Sequence, residues 1–192
     1  STGIASPGAH QTIFGDGTTD AYIAKFNNIG ILLWATYFGG TNLDRFTDCT
    51  TDLSGNIFFS GYSRSSNNIS TPGAYQVLYS GPTGYGDGVI AKFNSNGVRL
   101  WSTYYGGQGD DHAYNCVLDQ TGNIYVAGLT TAPSQTAIST PGAHQTLFGG
   151  NSYDAYLLKL SPSGTRIWCT FYGGIGNENF NWCNSCFYCL AD

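Results

Sequence analysis

The chain has 192 residues, only 10% of them charged, with a net charge of −5. That length accommodates one domain with a real core. The absence of a basic run argues against a nucleic-acid partner, and the longest apolar stretch, 29–38, contains Gly30 and is too short to span a bilayer.

Gly (27) and Tyr (14) are abundant, and Met is absent. A polar, weakly charged, aromatic-rich composition of this kind suits an extracellular protein. No signal peptide is recognisable. Ser1 falls inside a loop-like segment, which reads as a processed product or a fragment.

The chain repeats itself. Tryptophans at 34, 101 and 168 set a period of 67 residues, each inside a copy of one long pattern: DAYIAKFNNIGILLWATYFGG, DGVIAKFNSNGVRLWSTYYGG and DAYLLKLSPSGTRIWCTFYGG. Repetition at a fixed period decides architecture before any other signal. The repeats divide as 1–66, 67–135 and 136–192 within a single array.

In chain order, each repeat opens with SPGAHQ, TPGAYQ or TPGAHQ. Ser or Thr before Pro predicts a helix N-cap and a single helical turn on the surface. Variable Gly/Ser/Thr-rich loops follow. The first strand is expected at 21–26, and turn chemistry at 27–30, 94–97 and 161–164. The second strand, 31–38, has apolar residues on both faces and therefore calls for cover on both sides. A third strand is expected at 46–51, a turn at 52–56 (matched at 119–123), and a fourth strand at 57–62. The resulting fold class is all-β: three four-stranded antiparallel propeller-type blades, one per repeat, the third incomplete. In that third repeat the pattern fails after Gly174. Cys183 aligns with Cys49 and Cys116, while Cys186 and Cys189 occupy turn positions.

The combination TPGAxQ…DAxxAKxxxxGxxxWxTYxGG…D…GNIYVAG resembles the SBBP family, the bacterial beta-propeller repeat. The resemblance covers two repeats in full and the third to about Gly176. It implies a blade fold and a secreted or surface-attached location, and it brings no catalytic residues.

Several side chains recur or cluster. Asp20, Asp87 and Asp154 open each first strand; a calcium-binding carboxylate ring competes with aspartates that simply accept backbone N–H bonds, and the second reading is preferred. Lys25, Lys92 and Lys159 sit in mostly buried strands and need partners; Asp44, Asp111 and Glu178 are candidates. Asp110, Asp111 and His112 look like a metal cluster, but the equivalent Leu43, Asp44 and Arg45 rule out a site repeated in every blade. His10 and His144 are expected to face solvent. Cys183, Cys186 and Cys189 lack the paired spacing of a zinc site, so disulfides, with Cys169 as one partner, are the expectation. Cys49 and Cys116 are expected to be buried free thiols. Asn68 begins a glycosylation sequon. No cofactor is implied.

The functional expectation is a non-catalytic structural or adhesive module. A carbohydrate-binding propeller, with surface glycans as partners, is the second reading, and a hydrolase or lyase with its site at a propeller mouth the third. Three blades do not close a ring. Uncovered faces built from Tyr22, Leu33 and Tyr37 at one end and Tyr156, Ile167 and Phe171 at the other should therefore drive head-to-tail contact with copies of the chain or with further blades of a parent chain.

Overall fold

The computed structural model describes residues 3–131, 138–150 and 152–176. Ten antiparallel strands form three sheets: β1 (Ala21–Phe26) with β2 (Leu32–Phe38); β3 (Asp44–Thr51), β4 (Ile57–Ser63), β5 (Asp87–Phe93) and β6 (Arg99–Tyr105); and β7 (Asp111–Leu118), β8 (Ile124–Thr130), β9 (Asp154–Leu160) and β10 (Arg166–Tyr172). The all-β, four-stranded blade architecture holds.

The phase of the blades does not follow the sequence repeat. Each complete sheet joins the last two strands of one repeat to the first two of the next: β4 pairs with β5 from Ile57↔Phe93 to Ser63↔Asp87, and β8 with β9 from Ile124↔Leu160 to Thr130↔Asp154. The expectation of one repeat per blade is thereby corrected. Repeat periodicity reports only the spacing of equivalent residues; the choice of sheet partner lies in long-range pairing, which leaves no local mark.

Sheets stack face to face. Ile23 and Phe38 of the first sheet pack against Phe59, Val89, Ala91 and Phe93 of the second. Phe58, Ile90 and Tyr105 on its other face meet Ala113, Val126, Tyr156 and Leu158 of the third. Along one edge, β3 and β7 lock together. A register shift frees Thr47 from its ladder, and its hydroxyl donates to the carbonyls of Ala113 at 2.9 Å and Tyr114 at 2.8 Å, while Cys116 N–H donates to Asp48 at 2.9 Å.

The opposite edge strands, β2, β6 and β10, are covered over half their length. The SPGAHQ-type segments are β-turns, not helical turns: Ala9, Ala74 and Ala143 donate to Ser6, Thr71 and Thr140 at 3.1 Å, with Gly8, Gly73 and Gly142 at φ of 76–80°. Pro followed by a positive-φ Gly is a type II turn, and the glycine's left-handed conformation ends the helical prospect that Pro opened. The segment then runs along the edge strand, so that Thr71 N–H donates to Ser102 O and Tyr104 N–H to Gln76 O. This protects an edge that would otherwise be open to foreign strands. Cover stops there. The other half of each edge strand keeps exposed apolar side chains, Leu33 (53%), Leu100 (48%) and Ile167 (48%), so 31–38 is not buried on both faces along its whole length.

Candidate functional site

Two constructions recur at each blade junction, and together they account for most of the repeated motif.

The first is a clamp. Lys25 lies directly opposite Trp34 across β1 and β2, and Lys92 opposite Trp101 across β5 and β6. Lys25 Nζ and Trp34 Nε1 both donate to Ser95 O, at 2.9 and 3.1 Å, in the hairpin turn of the next blade. Lys92 and Trp101 do the same to Pro162 O, at 3.5 and 3.1 Å. The turn glycines Gly97 and Gly164 have φ near 80°, and a Cβ there would lie 2.9–3.0 Å from the indole ring. Lys159 and Trp168 have no following turn among the described residues. Lys159 instead bonds Tyr125 Oη at 2.7 Å and pairs with Asp119 at 3.4 Å. Asp44 and Asp111 are therefore not the lysines' partners, and Glu178 lies outside the described residues. A carbonyl at the apex of a turn offers an uncrowded acceptor, whereas those aspartates are already held elsewhere.

The second is a carboxyl node. Asp87 Oδ2 accepts from Ser80 N at 2.8 Å and from Gln76 Nε2 at 2.9 Å; Gln76 Oε1 in turn accepts from Gly106 N at 3.0 Å. Asp111 accepts from Gly107 N at 2.8 Å. Asp20, Gln11, Gly39 and Asp44 repeat this arrangement, and Gln145 holds Gly173 N while Asp154 accepts from Gly149 N. The repeated aspartates thus accept backbone N–H bonds, which is the preferred sequence reading.

The Gly-Gly pair lets the two carboxyls approach. A Cβ on Gly106 would lie 2.6 Å from Asp111 and 3.0 Å from Asp87; on Gly39, 2.6 Å from Asp20 and 2.8 Å from Asp44. Asp20 Oδ1 is buried with no hydrogen-bond partner among the described residues. Burial pushes Asp44 and Asp87 up to about 6 and Asp111 up to about 7, against the carboxylate's ordinary 3.8, and the neighbouring Asp20 and Asp87 charges add to the rise at Asp44 and Asp111. Asp111 is thereby the carboxyl brought nearest to neutral pH.

The candidate metal residues separate. His112 stacks on Tyr62 with ring centroids 4.0 Å apart, its Nδ1 sits 2.8 Å from Tyr114 Oη and its Nε2 3.3 Å from Asp110. Asp111 belongs to the carboxyl node instead. No group of three metal-ligating side chains comes together among the described residues. Adjacent residues on a strand point to opposite faces, which splits Asp110 and His112 from Asp111.

Cys49, Cys116 and Cys169 are free thiols, but Cys49 is exposed, contrary to expectation. Cys116 is covered by the preceding sheet, its Sγ lying 3.8 Å from Phe58 O on β4, whereas the sheet preceding Cys49 consists, among the described residues, of β1 and β2 alone, with no strand at the place of β4. Cys183, Cys186 and Cys189 lie outside the described residues, and the disulfide expectation with them. His144 is exposed, whereas His10 is half-buried against Phe38 and Phe93, and burial with the nearby Arg99 charge lowers it to about 4. Sequence reading missed the node's glutamines, Gln11, Gln76 and Gln145. Their recurrence was visible; their reach to an aspartate and a Gly-Gly turn at once was not.

Strand order, stacked sheets and junction clamps define an array of propeller-type blades. Residues 100–133, which run through β6, β7 and β8, match the family model of the SBBP beta-propeller repeat. Over 155 residues the chain is 26% identical to an uncharacterized WD repeat-containing protein of Acanthamoeba polyphaga mimivirus, an alignment covering 76% of this chain and 11% of that protein.

Proposed function

We propose that the chain is a non-catalytic structural or adhesive module, extracellular or cell-surface, that stacks head-to-tail on copies of itself. One comparison carries this reading. Tyr22 and Phe26 are 62% and 57% exposed, while their equivalents Tyr156 and Leu160, on a sheet with a preceding neighbour, are 1% and 0% exposed. At the other end Tyr172 is 66% exposed, while Phe38 and Tyr105, on sheets with a following neighbour, are 1% and 0% exposed. The two open faces are repeats of faces that already pack on each other inside the chain, so a second copy continues an existing interface. Of the residues expected at the open ends, Tyr22 is exposed for want of a neighbour, whereas Leu33 and Ile167 are exposed to the same degree as Leu100 inside the array. Tyr37, Tyr156 and Phe171 are buried, because they point toward their own array or its covering loop.

The contact is heterologous and makes rings or filaments according to the rotation per copy. The low charge and the SBBP match support the extracellular placement. Light scattering across micromolar concentrations tests the assembly. Growth in mass with concentration, abolished by Tyr172→Asp, is expected; a monodisperse monomer overturns it.

A further inference from the structure

We propose that a groove at the first blade junction, centred on Arg64, binds a carboxylate or sulfate group carried on an acidic saccharide. The groove has a volume of about 510 Å³ and lies between the segment before β1, the β2–β3 loop and the loop that leads into β5. Its polar lining comes from Thr18, Asn42, Arg64, Ser66, Tyr79 and Thr83. No carboxylate lines it, in a chain with 12 acidic and 7 basic residues.

Arg64 has a backbone role and no matching side-chain role. Its N–H donates to Leu43 O at 2.8 Å, and Asp44 N–H donates to Thr19 O at 2.7 Å, so the walls are pinned before any ligand arrives. The guanidinium is different: Nε is buried with no hydrogen-bond acceptor among the described residues. Asp110 is close enough to feel the Arg64 charge, but its own Oδ1 is taken by Gly86 N at 2.7 Å and faces His112. Arg64 as a whole is only part-buried and is the one charged side chain among the groove's lining residues, so an anionic group seated there meets its guanidinium.

The repeat provides a control within the molecule. One period on, Arg64 becomes Thr131 and Leu43 becomes Asp110, and Thr131 Oγ1 is used up by Asp110 N at 2.7 Å. The architecture therefore does not need an arginine here. The feature is local to one junction, as a binding residue would be and a blade-building residue would not.

The chemistry selects the ligand. A planar guanidinium matches the paired oxygens of carboxylate or sulfate. The surrounding hydroxyls and amide suit a polyhydroxylated chain. Gly81 and Gly84 add accessible backbone from the facing loop.

Calorimetric titration of the intact chain tests this with a galacturonate tetramer, a sulfated galactose oligomer, a neutral galactose oligomer and inorganic sulfate. At least one acidic oligomer should bind saturably and more tightly than the neutral oligomer or free sulfate. Arg64→Gln should weaken that binding by roughly tenfold or more, the scale of a charge-assisted pair. Thr83→Glu, a charge placed in the exposed facing loop, should do the same if Arg64→Gln perturbs folding. Arg45→Gln, which removes an exposed charge on β3 outside the groove, should leave the affinity unchanged. No saturable binding of either acidic oligomer, equal binding of the neutral oligomer or of inorganic sulfate, or an equal loss in Arg45→Gln would each overturn the proposal.

Discussion

The indole N–H of Trp101 donates to the carbonyl of Pro162 at 3.1 Å, across the gap between two separate sheets. Trp34 makes the same bond to Ser95 one junction earlier. The bond explains why the tryptophan recurs at all, since a purely apolar residue would leave a turn carbonyl without this donor. It also leads to the first prediction.

Trp101→Phe keeps most of the ring contact and loses the donor, so it should destabilise by about 1 kcal/mol. Trp101→Ala should cost more, about 2–4 kcal/mol, somewhat under the usual range for a fully buried aromatic because the indole is only partly buried. Urea denaturation of both variants checks the order. Equal losses would mean that the hydrogen bond carries the whole effect.

The raised carboxyls should make stability fall as pH rises from about 4 to 7. Asp44, Asp87 and Asp111 have folded values of about 6, 6 and 7, above the unfolded carboxylate's. Between about pH 4 and 7 the native state therefore holds protons that the unfolded chain has lost, and linkage makes folding stronger at the acid end of that window. His10 acts the other way, since its folded value of about 4 lies below 6.5. Asp111→Asn separates the two effects: the variant should show a flatter dependence between pH 5 and 8 than wild type, with the His10 contribution unchanged. Identical slopes in denaturant titrations would remove the carboxyl pair from the account.

Gly106→Ala should destabilise by crowding the carboxyl pair. Its new methyl would sit 2.6 Å from Asp111 and 3.0 Å from Asp87, and the expected cost exceeds about 2 kcal/mol. Gly73→Ala is a useful contrast. Nothing lies near its Cβ, so only the positive φ penalises it, at about 1 kcal/mol. Thermal melts that rank the two in the opposite order would contradict the close approach described at the node.

Thiol reactivity should separate by burial. Cys49 is exposed, while Cys116 and Cys169 are buried and burial pushes each up to about 12. Brief alkylation of the native protein, read by peptide mass spectrometry, should label Cys49 and spare Cys116 and Cys169 until denaturant is added. Native labelling of Cys116 would place it nearer the surface than the β3–β7 junction allows.

Strand positions were legible in the sequence to within two residues at each end, because alternation and Gly/Asn turn chemistry are local. The repeat period and the blade class were legible for a similar reason: equivalent residues recur at a spacing that can be counted. The Gly after Pro in each TPGA segment already favours a type II turn over a helix, and that signal was available.

Asp20, Asp87 and Asp154 were recognisable as backbone acceptors from their residue type and their place at a strand start. What the sequence alone determined was therefore the local menu: strands, turns, the 67-residue period and the residues that must recur. Only the tertiary structure decided which strands share a sheet, that Lys and Trp converge on one carbonyl of the next blade, that Gly-Gly brings two carboxyls together, and that Arg64 faces a groove. Each of these depends on a contact between residues about 20 to 70 positions apart. Local propensity carries no information about such pairings, and they are set by which apolar faces can be buried together.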